Sequence, residues 1–297
     1  MLKVDNQQNY KATANSILVV GVARNCAQHI IEDILNLKQS LLTFKKIQWL
    51  IIESDSDDNT VDILATLTSE IPSFHFISCG ILQNKYPLRT ERIAFCRNIY
   101  LKEIQENCLY QDVDLIMVAD LDGVNSLITT EAISSCFKRN DWDVCTANQK
   151  TRYYDIWALR HASWCPNDCW RQRNFFKKYG LINDEAEFAA VYSKMIYIPK
   201  SSTWIEVESS FGGLAIYKKH TLVNAKYIGL RNDGSEICEH VPLHRQLKTQ
   251  GFKIFINPAL INNEFDVNNH AFFSNKQAPV KKKFHWCLNT SKHSTVH

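Results

Sequence analysis

The sequence predicts an α/β protein whose sheet is mostly parallel and covered by helices on both faces. Three observations carry this. Continuous apolar runs recur at Ser16 to Ala23, Ile47 to Glu53 and Asp114 to Ala119, the pattern of strands buried on both sides. Segments with apolar residues at helical spacing lie between them. The β-α-β-α-β-α-β alternation over 16–122 then requires crossover connections, which join parallel strands.

Each element follows from local pattern. After the first strand, Cys26 to Leu42 places Ile30, Ile31, Ile34, Leu35, Leu37 and Leu41 at helical spacing. Ser54 to Thr60 is a loop rich in capping residues, and Val61 to Leu67 opens the next helix. His75 to Cys79 reads as a short strand and Thr90 to Gln105 as a helix. Beyond Asp122 the spacing predicts a helix over 124–140 and a strand over 142–146. Further strands are expected at 205–209, 214–218 and 253–256. A last helix spans 236–251 and is closed by Gly251. Residues 150–195 are rich in Tyr, Trp, Arg and Asn and show little periodicity.

Composition narrows the function. The chain has 297 residues, a net charge of +3 and 45% hydrophobic residues, which is ordinary globular composition. The charge is too mild to demand a nucleic-acid partner. Nine glycines are few. There is no Walker A loop and no G-x-G-x-x-G, which disfavours P-loop NTPases and Rossmann dehydrogenases. The expected organisation is a polar leader over 1–15, one domain over 16–275 with halves 16–123 and 124–275, and a basic tail over 276–297. No signal core and no apolar run of about 20 residues is seen, so a cytoplasmic protein is expected. The ten cysteines then read as thiols, many inside apolar runs. Cys165 and Cys169 read as two loop thiols, or as a disulfide in an exported protein, rather than as a zinc site, which wants four ligands.

Asp120-Leu121-Asp122 carries the strongest chemical signal. It ends the apolar strand Leu115 to Val118, and ligands bind at the carboxyl edge of such sheets. Two carboxylates there suit a hard cation, Mn²⁺ or Mg²⁺, completed by phosphate oxygens. The plain alternative is turn chemistry, which D-x-D-G also satisfies.

With these segments in order, the chain resembles GT-A glycosyltransferases, most closely in RTERIAFCRN, DLIMVADLDG, SSFGGLAIYK and CEHVPLH. Among them it is most similar to the surface-polysaccharide, capsule-associated mannosyltransferase-like group. The resemblance implies two abutting β/α/β halves on one Rossmann-like sheet. It also implies a nucleotide-sugar donor (UDP- or GDP-linked), a saccharide or lipid-linked saccharide acceptor, and a role in capsule or lipopolysaccharide synthesis.

The same resemblance places Ala23 and Arg24 at the base and ribose, and Glu53 and Asp55 as carboxylates reading the nucleobase or ribose. Asp120 and Asp122, with His270, would hold the metal; His244 is a rival to His270. Asp120 and Leu121 also border the donor. Arg89 and Arg92, like Arg97 on the same helix, suit diphosphate oxygens. Of these Arg92 is the first choice. Gly212 and Gly213 would give a donor sugar room; a tight turn is the plain reading. Glu206 and Glu208 alternate onto one strand face and either is placed to face the acceptor, with Glu208 counted among the catalytic candidates. Glu239 or His240 would deprotonate an acceptor hydroxyl, although the family's acidic motif has an Asp where this chain has His240.

Tyr153, Tyr154, Trp157 and Trp164 offer sugar-stacking faces or core bulk. Lys281 to Lys283 with Phe284 and Trp286 read as a solvated tail or a contact for anionic lipid at the inner face of the membrane. Two other functions fit less well: a glycan-binding protein without catalysis, and a sugar-phosphate nucleotidyltransferase, which would carry a Gly-rich loop in place of VARNCAQHI. Paired carboxylates also serve glycoside hydrolases, but the nucleotide-style first half argues against one.

Overall fold

Residues 16–264 are described by the computed structural model. The first half runs β1 (Ser16–Ala23), α1 (Ile30–Ser40), β2 (Lys46–Glu53), α2 (Thr60–Glu70), β3 (Phe74–Ser78), α3 (Arg89–Glu106) and β4 (Leu115–Ala119). The second half runs α4 (Thr130–Ser135), β5 (Val144–Gln149), α5 (Cys169–Lys178), α6 (Asn183–Ala190), β6 (Ile205–Val207), β7 (Leu214–Lys218), α7 (His240–Thr249) and β8 (Ile254–Asn263). All eight strands join one sheet in the order β3-β2-β1-β4-β7-β5-β8-β6. Every pairing among β1 to β4 is parallel, and β5 runs parallel to β8. β7 is antiparallel to both β4 and β5, and β6 is antiparallel to β8. Six strands therefore point one way, and the expected mostly parallel sheet with two halves sharing it holds.

The alternation along β1 explains the layering. Ile17 and Val19 join a core with Ile30, Ile34 and Leu37 of α1, Leu64 and Leu67 of α2 and Ile133 of α4. Leu18 and Val20 are equally buried but point to the opposite face. Covering both faces is what lets these strands be apolar without interruption.

Several boundaries differ from the sequence reading. The helix expected over 124–140 is only α4 with a short 3-10 turn after it, because residues 120–129 form a loop pinned from outside. Asp33 of α1 accepts from Gly123 N (2.7 Å) and Asn125 N (3.2 Å). Thr129 then caps α4 by accepting from Ala132 N. The aperiodic stretch 150–195 contains α5 and α6; Asp168 caps α5 by accepting from Trp170 N and Arg171 N. β8 continues past Pro258 to Asn263 rather than ending at 256. Pro lacks a ladder donor, and the β5–β8 register shifts beside it take up the irregularity. α7 begins at His240, and Pro242 sits in its first turn, where a missing N–H costs nothing. Cys165 and Cys169 are buried free thiols. Among the described residues no helix is long and apolar enough to cross a membrane.

Candidate functional site

The carboxyl ends of β1 and β4 lie side by side, where the chain leaves one side of β1 and returns on the other. That switch in strand order opens a crevice. A cleft of about 320 Å³ occupies it, walled by Ala23 and Arg24 after β1, by Arg89, Arg92 and Arg97 of α3, by Asp120 to Asp122 after β4, and by Glu239 and His240 at the start of α7. Asp155, Trp157 and Phe211 complete the wall.

Asp120 is held at its backbone from two sides. Its N–H donates to Gly213 O (2.9 Å) and its carbonyl accepts from Asn125 Nδ2 (2.6 Å). Burial, reinforced by Asp122, Glu239 and Asp155 and opposed by Arg97, pushes its carboxyl up to about 7. Burial likewise raises Asp155, against the donors Gly212 N and Ala158 N. Asp122 is exposed. Four carboxylates thus crowd one cleft, and Arg97 is the cation buried among them. Arg97 Nη2 lies 3.1 Å from Asp120 Oδ1 and Nε lies 3.0 Å from Glu239 Oε1. Its guanidinium also packs on the rings of Phe211 and Tyr227.

His240 is 2% exposed and stacks on Phe211 at a 3.9 Å ring separation. Neither of its ring nitrogens has a hydrogen-bond partner. Burial first, then Arg97 and His244, hold its pKa well below the usual range, so the ring is neutral at pH 7. Both nitrogens are themselves buried, so the ring meets the cleft as a packed wall.

The cleft gathers Ala23, Arg24, Arg89, Arg92, Asp120, Leu121, Asp122, Glu239 and His240 from the sequence expectation. It leaves others out. Glu53 is 1% exposed, with Oε1 accepting from Ser56 N and Oε2 from Ser78 Oγ, so neither oxygen is open to a nucleobase. Asp55 sits at φ 58°, accepts from Leu82 N and Gln83 N, and faces Arg92 Nε at 3.7 Å. Burial opposes its charge, but those donors outweigh it and lower its pKa. The helix-capping role belongs to Asp58, which accepts from Thr60 N and Ala27 N.

Arg92 is in the cleft, yet its Nη1 donates to the carbonyls of Tyr86 and Pro87. Arg89 is exposed and makes no ion pair among the described residues. Glu208 lies in a different cleft, 3.8 Å from Lys248. His244 is no metal ligand in waiting, since its ring nitrogens meet Ser209 Oγ (3.0 Å) and Tyr217 OH (2.8 Å). His270 lies outside the described residues, as do the leader and the basic tail.

Gly212 and Gly213 need their glycines for a reason other than room for a ligand. Both have left-handed φ (+72° and +81°). A Cβ on Gly212 would meet Ala147 O at 2.9 Å, and one on Gly213 would meet Tyr154 Oη at 2.9 Å, so protein fills the space.

Arg97 and Asp155 are the residues that sequence reasoning undervalued. Arg97 falls one turn after Ile93 and one turn before Leu101, within the apolar stripe of α3; a charge there signals a buried partner. Asp155 had no such signal, because its segment follows no period.

The oxygen-only pair Asp120 and Asp122 fits a hard divalent cation, and the crowding that raises Asp120 is what a cation would relieve. Among the described residues no three His, Cys, Asp or Glu side chains form a complete metal cluster.

No family model matches the chain, and no curated protein matches it. Among solved structures it is similar to the mannosyltransferase PcManGT from Pyrobaculum calidifontis in complex with GDP-Man and Mn²⁺. That match has 10% identity and a TM-score of 0.48 and covers 89% of this chain. It is also similar to glucosyl-3-phosphoglycerate synthase from Mycobacterium tuberculosis in complex with Mn²⁺, UDP and phosphoglyceric acid (13%, 0.40, 86% of this chain and 69% of that one). A third is S. aureus TarS 1-349 (10%, 0.43, 81% and 57%). This chain spans 60% of the length of the mannosyltransferase.

Proposed function

We propose that the chain is a metal-dependent glycosyltransferase of the GT-A kind, moving a sugar from a nucleoside-diphosphate sugar to a saccharide acceptor. The observation that carries this reading is the Asp120-Leu121-Asp122 turn at the strand switch, facing Arg89 and Arg92 across a cleft. The cleft lining holds four carboxylates (Asp120, Asp122, Asp155, Glu239) against four arginines (Arg24, Arg89, Arg92, Arg97), a net of zero when all are ionised, as they would be around a bound cation. A diphosphate therefore needs further positive charge to be neutralised there. Mn²⁺ or Mg²⁺, when bound, supplies that charge to the diphosphate leaving group.

The chain's own residues divide the remaining work. Asp122 and Asp120 would hold the cation, with His270, outside the described residues, as the third ligand in this reading. Arg89 is open to diphosphate oxygens. Arg24 and Ala23 border the nucleoside. Glu239 is the proton acceptor for an acceptor hydroxyl, if the anomeric centre inverts, and Arg97 fixes its position. His240, neutral and stacked on Phe211, borders the cleft beside Glu239. The product belongs to a cell-surface polysaccharide, capsule or lipopolysaccharide, assembled at the inner face of the membrane with the basic tail as a peripheral contact.

The test is nucleotide release from a panel of UDP- and GDP-sugars with and without Mn²⁺. Release with at least one donor, lost on chelation and reduced at least a hundredfold in Asp122→Ala, is expected. Asp122 is exposed, so this variant should melt like the wild type. Binding of glycan without release of any nucleotide would instead favour a lectin, and unchanged turnover in Asp122→Ala would sink the proposal.

A further inference from the structure

A second cleft, about 1020 Å³, lies beside the first. Five cations line it (Arg160, Arg171, Arg231, Arg245 and Lys248) against two carboxylates, Asp168 and Glu208, a net of +3. The first cleft has a net of zero. The two acids do not cancel the excess. Asp168 Oδ2 accepts from both Arg160 Nη2 (3.1 Å) and Arg231 Nη2 (2.8 Å), so two guanidiniums share one carboxylate. That carboxylate also accepts from Trp157 Nε1, Trp170 N and Arg171 N. It is fully committed to positioning and cannot neutralise another charge. Lys248 contacts Glu208 (3.8 Å) and, from outside the lining, Glu206 (3.0 Å), which brings the excess to +2 and leaves it on the arginines. Arg171 and Arg245 are exposed and make no ion pair among the described residues. Phe175 and Phe176 of α5 form an apolar side of the same cleft.

The two clefts share walls. Trp157 lines the first and Arg160 the second, and Arg160 Nη1 donates to Trp157 O (3.0 Å). Ser209 lines the second and Phe211 the first. Ile237 and Val241 line the second, while Cys238 to His240 line the first. Three chain segments therefore each present residues to both spaces.

We propose that the second cleft binds the phosphoryl group of the acceptor, with Arg171 and Arg245 as its principal contacts and Phe175 and Phe176 beside the attached organic part. Guanidiniums pair bidentately with phosphate oxygens, and a cleft lined by one sign of charge raises the local concentration of its ligand. That the ligand is an acceptor rests on the glycosyl-transfer reading; the anion site itself does not.

The experiment is calorimetric titration with inorganic pyrophosphate at low and moderate salt. Three proteins are compared: the wild type, Arg89→Ala in the first cleft, and Arg171→Ala/Arg245→Ala in the second. Both second-cleft arginines are exposed, and an unchanged melting temperature confirms that the double variant is folded. The expected result is a binding event that persists in Arg89→Ala, weakens as salt rises, and is at least tenfold weaker in the double variant. Equal binding in the wild type and the double variant overturns the inference.

Two sources of the phosphoryl group are then separated. Competition by glucose 1-phosphate indicates a soluble acceptor. Retention on phosphatidic-acid vesicles, lost in the double variant, indicates a lipid headgroup. Competition by neither overturns the assignment of a phosphorylated ligand. A chain that binds pyrophosphate here yet releases nucleotide from no sugar donor would overturn the transfer reading and leave the anion site standing.

Discussion

The guanidinium of Arg97 sits 3.1 Å from the Asp120 carboxylate and reaches it from the buried side of α3. The same group meets Glu239 at 3.0 Å, so one cation links the end of β4 to the start of α7. It is 3% exposed, and its positive charge compensates two carboxylates from elements far apart in sequence.

Removing it should therefore be costly. Arg97→Met leaves two carboxylates unbalanced in a crowded cleft, and a loss of about 3 kcal/mol in unfolding free energy is expected. Denaturant unfolding measures it. Arg97→Lys keeps the charge but not the fork, and should recover part of the loss. An Arg97→Met protein as stable as the wild type would mean that the ion pairs contribute nothing.

Asp33 steadies the loop that carries Asp122 from behind. Its oxygens accept from Gly123 N and Asn125 N, and burial pushes its carboxyl up to about 6. Asp33→Ala should raise the Mn²⁺ concentration needed for half-maximal nucleotide release about tenfold, as loss of an outer support does at metal sites. Asp33→Asn retains one acceptor and should show a smaller rise. A metal dependence unaltered in both would show that the loop holds itself.

His244 makes a pH-dependent contribution with a definite sign. Burial pushes its pKa down to about 3, whereas the unfolded chain titrates near 6.5. Between those values the unfolded state binds more protons, so this group's contribution to stability is present above pH 6.5 and is lost as pH falls. The unfolding free energy of the wild type minus that of His244→Gln should therefore grow by about 1.4 kcal/mol per pH unit from roughly pH 4 to 6. Taking the difference cancels the titration of groups common to both proteins. A flat difference would mean that His244 is solvated or charged in the folded state.

Two glycines should respond in the opposite order to their dihedrals. Gly251 has φ +86° but open space around it, so Gly251→Ala should cost about 1 kcal/mol. A Cβ on Gly229 would lie 2.1 Å from Thr90 O, in the seam where Thr90 Oγ1 donates to Gly229 O. Gly229→Ala should cost about 3 kcal/mol, because backbone rather than a flexible side chain must move. Thermal melts of the two variants decide the order.

The parts legible in the sequence were those whose burial writes a period. β1, β2 and β4 are apolar on both faces, and the Asp120 turn stands out because charge follows such a run abruptly. The direction of β7 was not legible, since Leu214 to Lys218 would look the same parallel or antiparallel. α5 escaped notice because only Cys169 of its ten residues is buried, leaving no apolar stripe. Glu53 misled because a carboxylate at a strand end looks available for a ligand, and only the tertiary fold brings Ser78 beside it. The sequence favours Arg92 over Arg97 for the diphosphate, although the place of Arg97 in the buried stripe of α3 sets it apart.

The antiparallel seat of β7 has a consequence for how the chain is made. β4 receives its second neighbour only when residues 214–218 arrive, and Asp120 N–H finds its carbonyl only at Gly213. The Tyr100 and Tyr227 hydroxyls, which bond behind Arg97, are separated by 127 residues. A nascent chain stopped before β7 thus carries a four-stranded parallel sheet whose last strand, Leu-Ile-Met-Val-Ala, presents a bare apolar edge. Such an edge invites pairing with another chain. The carboxylate turn is thus completed late in synthesis, only once residues 213–218 have been made.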